Sequence, residues 1–171
     1  MKISISVILI TVVFAFAGIC DIAAQKTKTI ILIRHAEKDV SETADKNDPV
    51  LTTVGSQRAQ RLLEKIGRYK PGAIYSTAYK RTQATVEPLA NHRKLKIMTY
   101  DARKQNELVD EIMKSKTKRF VVVGHSNTIP GLANLLIKKD IFKNLEDSEH
   151  SVIWLIKLQD GKVEKMQILE Y

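Results

Sequence analysis

One cysteine, Cys20, is all the thiol chemistry this chain has, so a disulfide framework and any multi-cysteine metal site are excluded. The sequence has no low-complexity tract, no heptad array and no internal repeat, which excludes linker-rich, coiled-coil and solenoid architectures. Aromatic residues make up 6% and are not interleaved with basic ones, against the stacking platforms of single-strand nucleic-acid binders; no nucleic-acid partner is expected. No apolar run is long enough to be a comfortable membrane span. Acidic residues are also short: 28 Lys and Arg against 19 Asp and Glu leave a formal net charge of +9, a balance that favours anionic partners. With 171 residues, 44% of them hydrophobic, the chain has room for one core and not for two ordinary domains.

Met1-Lys2, the apolar stretch Ile3 to Ala17 and the small residues after it have the charged, apolar and cleavage regions of a secretory leader. Of two small-x-small sites, Ala15-Phe16-Ala17 and Ile22-Ala23-Ala24, the second leaves only a short polar lead before the first strand. Residues 1–24 are therefore expected to be a signal peptide and residues 25–171 the mature domain, exported to the periplasm or secreted, with no stable membrane span after cleavage. An uncleaved anchor is the alternative. A lipid anchor at Cys20 is poorly supported, because Gly18-Ile19 precedes it. Lys2 and Asp21 cancel, so the mature domain keeps the +9 balance.

What the sequence does have is Thr29-Ile30-Ile31-Leu32-Ile33-Arg34-His35. A run this apolar, ended by Arg-His, predicts a strand buried on both faces that presents two polar side chains at its carboxyl end, where open α/β sheets place their ligand sites. The polar stretch Glu37 to Val50 reads as a loop. A helix follows from Leu51-Thr52-Thr53, capped by Thr52 or Thr53, with Ala59, Leu62, Leu63 and Ile66 inward and Gly67 as its stop. A short strand, Ala73-Ile74-Tyr75, ends at Ser76-Thr77. The next helix puts Thr82, Val86, Leu89 and Ala90 on one face and opens with Lys80-Arg81, basic residues that oppose the helix dipole and suggest an anion at that junction. Lys94 to Thr99 predicts a third strand, and Asn106 to Lys114 a short helix with Leu108, Ile112 and Met113 inward. Phe120 to Val123 is a second buried strand, ending at Gly124-His125-Ser126-Asn127 before a helix that starts near Pro130 and aims its free N–H groups beside His125. Residues 151–158 and 162–169 read as a closing β-hairpin with Trp154 in the core. The expected fold is α/β: a three-layer sandwich, mostly parallel central sheet with helices on both faces and a C-terminal β-hairpin.

Parallel order brings Arg34, His35, Arg81 and His125 to one edge of that sheet. Guanidinium forks suit phosphate oxygens, and a neutral imidazole can act as base, ligand or nucleophile. Here the residues resemble a known family. Ile31-Leu32-Ile33-Arg34-His35-Ala36-Glu37 is similar to the signature strand of the histidine phosphatase superfamily, the phosphoglycerate-mutase-like enzymes. Leu51-Thr52, Gly55, Arg58-Ala59, Tyr75-Ser76, Arg81-Thr82, Thr85 and Val123-Gly124-His125-Ser126 follow in family order. The resemblance implies that His35 accepts the phosphoryl group, Arg34 and Arg81 clamp it, His125 stabilises it in transfer, and Ser126 and Asn127 help to bind substrate. It implies a metal-independent phosphomonoester hydrolase with no cofactor, acting on a small anionic phosphorylated substrate.

Two features depart from the family pattern. Ala36 stands where glycine is commonest, and the carboxylate that many members use as proton donor has no clear counterpart. The connection from Tyr100 to Ile112 offers only Asp101, Glu107 and Asp110, with Glu107 the candidate donor, and Glu37 is not the usual one. In this the chain resembles the small phosphohistidine phosphatases, whose leaving group departs without a strong acid. A phosphohistidine phosphatase and a phosphate-binding, non-catalytic relative are thus the alternatives. His92 and His150 read as surface residues.

Overall fold

The computed structural model describes residues 26–171; the expected leader, with Cys20, lies outside them. The element order is β1 (Thr27–Arg34), α1 (Thr53–Ile66), β2 (Ala73–Ser76), α2 (Lys80–Arg93), β3 (Ile97–Thr99), α3 (Gln105–Lys114), β4 (Arg119–Gly124), α4 (Thr128–Ile137), β5 (Val152–Gln159) and β6 (Lys162–Glu170), with a 3₁₀ turn over Gly67–Tyr69. The strands form one six-stranded sheet in the order β3-β2-β4-β1-β5-β6. Its β1, β2, β3 and β4 are mutually parallel, while β5 runs antiparallel to both β1 and β6. The expected α/β sandwich is the fold observed.

Alternation along β1 explains the two layers around the sheet. Ile30 and Leu32 point into one core, with Phe120, Val122 and Trp154, beneath α3 and α4. Ile31 and Ile33 point into the other, with Val121, Val123 and Leu155, beneath α1 and α2. All four β1 side chains are essentially inaccessible, each worth roughly 1.5–3 kcal/mol on burial. The path from β1 through β2 to β3 moves outward and puts α1 and α2 on one face. Return to β4 reverses direction, and right-handed crossover then requires α3 on the opposite face.

Several boundaries differ from the sequence expectation for local reasons. Thr52 is the cap of α1, accepting from the Gly55 N–H at 3.0 Å. Gly67 has helical dihedrals and continues into the 3₁₀ turn, and Lys70 takes the left-handed position instead. Residues 94–96 are not strand: Lys94 adopts the left-handed conformation that ends α2. The α4 donors expected beside His125 are already committed, since the Thr128 and Ile129 N–H groups bond the His125 carbonyl and Pro130 has none. Between β5 and β6, Asp160 and Gly161 both have positive φ, the type I′ geometry that suits hairpin twist.

Gly55 sits where α1 crosses the start of the loop after β1, and a Cβ there would lie 2.3 Å from the Glu37 carbonyl oxygen. Both contacting groups are backbone, so relief requires the helix or the loop to move. Gly55→Ala is expected to lower stability by about 1–3 kcal/mol, read as a reduced urea midpoint with unchanged m-value.

Candidate active site

The register of β1 on β4 builds the site. Arg34 pairs with Gly124, so His35 and His125 leave their strands side by side, and the His35 N–H donates to the Gly124 carbonyl at 3.0 Å. The two imidazole centroids are 5.4 Å apart. Gly124 keeps the junction narrow: a Cβ there would be 2.8 Å from both Thr128 Oγ1 and the Tyr100 hydroxyl. Ala36 is fully buried and its N–H donates to Thr85 Oγ1 at 2.9 Å.

His35 is 4% exposed. Its Nδ1 lies 2.8 Å from the Ala36 carbonyl oxygen, which fixes the proton on Nδ1 and leaves the lone pair on Nε2. Burial, assisted by His125, Arg81 and Arg34, pushes its pKa down to about 3 against the opposing pull of the Ala36 carbonyl. His125 Nε2 is 3.0 Å from Thr77 Oγ1, and the Tyr79 ring meets it edge-on at 5.1 Å. Its pKa falls to about 4, again through burial and then the two arginines and Lys38.

Arg34 is buried, with Nη1 donating to the carbonyls of Glu146 (2.5 Å) and Glu149 (3.2 Å) and Nη2 within 3.4 Å of the exposed Asp147 carboxylate. Arg81 stacks over Tyr79, 4.3 Å to the ring centroid, and Asp48 Oδ1 stands 3.9 Å from its Nη1. Asp48 also accepts from the Lys80 N–H at 2.9 Å, so the anion expected at the start of α2 is this side chain. Arg34 Nε and Arg81 Nε and Nη1 are buried with no hydrogen-bond partner among the described residues. An unmade bond at a buried donor costs about 1–3 kcal/mol, more when charged, so fixed cationic donors in this state are a receptor for an anion.

Next to His125 and Arg81 lies a cleft of about 740 Å³, lined also by Thr77, Tyr79, Tyr100, Asp101, Arg103 and Asn127. Ser126 is not on it; its carbonyl accepts from the Leu145 N–H. Glu107 is solvent-exposed on α3, paired with Lys104 at 3.1 Å, and borders a separate hollow with Tyr75 and Glu111. Asp101 does line the cleft, but hydrogen bonds from Arg103 hold its carboxyl at about 2, so it carries no proton near neutrality. Glu37 is bound through both oxygens by Arg58. Among the described residues no helix is long and apolar enough to cross a membrane.

His150 is the residue that sequence reasoning misplaced. It is half-buried at the site, with Nδ1 2.9 Å from the His35 carbonyl oxygen and its ring centroid 5.9 Å from that of His35. A signal was available. Because β5 runs antiparallel beside β1, with Ile33 opposite Ile153, residues just before β5 must lie level with His35 and Ala36. His92, by contrast, is exposed at the end of α2.

Depressed histidine pKa values make stability pH-dependent with a definite sign. The unfolded chain binds protons at His35 and His125 from about pH 6.5 downward, whereas the folded one does so only near 3 and 4. Stability is therefore full above pH 6.5 and falls between there and pH 4. Urea midpoints across that range are expected to drop, and His35→Asn to flatten the slope.

Residues 30–105 match the model of the histidine phosphatase superfamily (branch 1). No curated protein matches the chain. Similar solved structures include the protein histidine phosphatase SixA complexed with tungstate, at 13% identity and TM-score 0.66 over 83% of this chain and 96% of that one. A mycobacterial glucosyl-3-phosphoglycerate phosphatase with inorganic phosphate matches at 14% identity and TM-score 0.66, covering 84% and 96%. "Mycobacterial hydrolase 1" matches at 15% and 0.65, covering 85% and 98%. At such identities the likeness is one of fold. The matched residues span β1, the loop after it, and the helices that carry Arg58 and Arg81, and over that stretch the chain is similar to the histidine phosphatase superfamily.

Proposed function

We propose that the protein is a phosphomonoester hydrolase that works through a phosphohistidine on His35. The observation that carries this reading is the pairing of a buried, neutral imidazole, its Nδ1–H fixed by the Ala36 carbonyl, with two guanidiniums that keep buried nitrogens without partners among the described residues, Nε of Arg34 and Nε and Nη1 of Arg81. The Nε2 lone pair forms the N–P bond while the ester P–O bond breaks, and water then attacks phosphorus and returns the electron pair to Nε2. Arg34 and Arg81 hold the equatorial oxygens, and His125, beside them, stabilises the charge that grows in transfer. Asn127 lines the cleft beside His125 and Arg81. The reading needs no metal, and among the described residues no three His, Cys, Asp or Glu side chains converge as a ligand set.

One observation favours a second reading. No carboxylate on the cleft retains a proton at neutral pH, which suits a leaving group that needs none, such as the imidazole of a phosphohistidine substrate. Phosphate release from a panel of aryl and alkyl phosphomonoesters and phosphohistidine separates the two. Export is part of the proposal and rests on Met1 to Ala24 alone; a mature protein recovered from the periplasm or medium is expected to begin at Gln25.

His35→Ala is expected to abolish both turnover and acid-labile phosphate on the protein while circular dichroism stays unchanged, because the side chain ends a strand and supports no core layer. Trapped phosphate on that variant would remove His35 from its role. Arg81→Lys keeps the charge but loses the fork, and kcat/KM is expected to fall roughly 100-fold. Activity should persist after dialysis against excess chelator, measured on the same substrate; recovery only on adding zinc or magnesium would contradict the metal-free reading.

A further inference from the structure

With no protonated carboxylate at hand, the leaving oxygen of an alkyl phosphate needs another proton source, and the water that attacks phosphohistidine needs a base. We propose that His150 is both, shuttling one proton from the attacking water to the leaving group through its Nε2. This rests on the phosphohistidine reading above.

Three observations carry it. The Nδ1 of His150 lies 2.9 Å from the His35 carbonyl oxygen, so that nitrogen holds its proton permanently and only Nε2 exchanges one. Nε2 makes no hydrogen bond among the described residues and is not sealed off from solvent. The ring centroid stands 5.9 Å from that of His35, so this imidazole is an immediate neighbour of the nucleophile. The carboxylates nearby are already engaged: Glu37 accepts from Arg58, Asp48 from the Lys80 N–H, Asp101 from Arg103, Asp147 from Arg34, and Glu149 from the Glu146 N–H.

The groups facing His150 define its titration. Burial lowers its pKa first, the His35 carbonyl raises it, Arg34 lowers it, Glu37 raises it and Arg58 lowers it. The resting imidazole is thus neutral near pH 7, the form a base requires. A bound phosphoryl dianion offsets the arginines and favours the imidazolium, the form an acid requires. In the first step His35 Nε2 bonds phosphorus, the P–O bond breaks, and the departing oxygen takes the His150 Nε2 proton. In the second, water oxygen bonds phosphorus, the N–P pair returns to His35, and the water proton goes to His150 Nε2. One water yields one alcohol proton and one phosphate hydroxyl, and both histidines end as they began.

His150→Asn tests this, because the amide N–H sits near the Nδ1 position and keeps a donor for the His35 carbonyl while no proton carrier remains. Phosphoenzyme formation is measured in the pre-steady state across a graded series of aryl and alkyl phosphates. The parent is expected to show little dependence on leaving-group pKa. In the variant alkyl rates should fall about 100-fold and aryl rates less than about 3-fold, with dephosphorylation slowed equally for all substrates. The basic limb of the parent's pH profile for alkyl substrates should vanish. Equal losses for aryl and alkyl esters, or none, would overturn the proposal and leave the His35 reading standing. A parent with no phosphoenzyme would remove both. If His150→Asn does not fold, His150→Ala with added imidazole decides: saturable recovery of alkyl cleavage supports the shuttle, and none overturns it.

Discussion

The parallel pairing of β1 with β4 is the constraint on which the rest depends. Six consecutive partners, Thr29 with Arg119 through Arg34 with Gly124, fix where both strands stop. A slip of one residue would turn Ile31, Ile33, Val121 and Val123 toward the wrong core and, in the same motion, separate the two histidines. Hydrophobic burial therefore enforces the geometry of the polar edge. The site is positioned by residues that make no contact with an anion.

Charge in the pocket is arranged by the choice of hydrogen-bond acceptor. Arg58 and Arg103 are paired with carboxylates, Glu37 and Asp101, and are electrically satisfied. Arg34 is held chiefly by two backbone carbonyls, with the solvent-exposed Asp147 carboxylate 3.4 Å away, and Arg81 by a tyrosine face with a carboxylate no nearer than 3.9 Å. Neutral acceptors orient a guanidinium without cancelling its charge. The two arginines beside His35 thus stay attractive to a dianion, while the basic residues farther out contribute a screened field.

How much of this the sequence reveals depends on how local each signal is. The strands β1 and β4 are legible because runs such as Ile30 to Ile33 and Phe120 to Val123 have no other stable use, and their abrupt ends mark Arg34, His35 and His125. The α2 junction is legible as an anomaly, Lys80-Arg81 at a positive helix end, although its anion proves to be Asp48 from a loop with no pattern of its own. Turn chemistry misleads at Gly67, where left-handed backbone falls to Lys70 instead, since a lysine in that conformation carries no compositional mark. His150 escapes notice for a topological reason. Its neighbours in sequence are polar and loop-like, and its proximity to His35 exists only once β5 is laid antiparallel on β1.

The anchoring of Arg34 by Glu146 and Glu149, more than 110 positions away in the chain, has a consequence for how the pocket is assembled. During synthesis the signature strand emerges more than 110 residues ahead of its carbonyl anchors. Until they arrive, the guanidinium has nothing to hold its Nη1, and the His35 carbonyl lacks the imidazole that later donates to it. Closing so long a loop is among the slower events in folding a domain of this size. A nascent or C-terminally clipped chain can lay down β1, α1, β2 and α2 and still have no competent anion receptor, so competence at this site reports on completion of the fold.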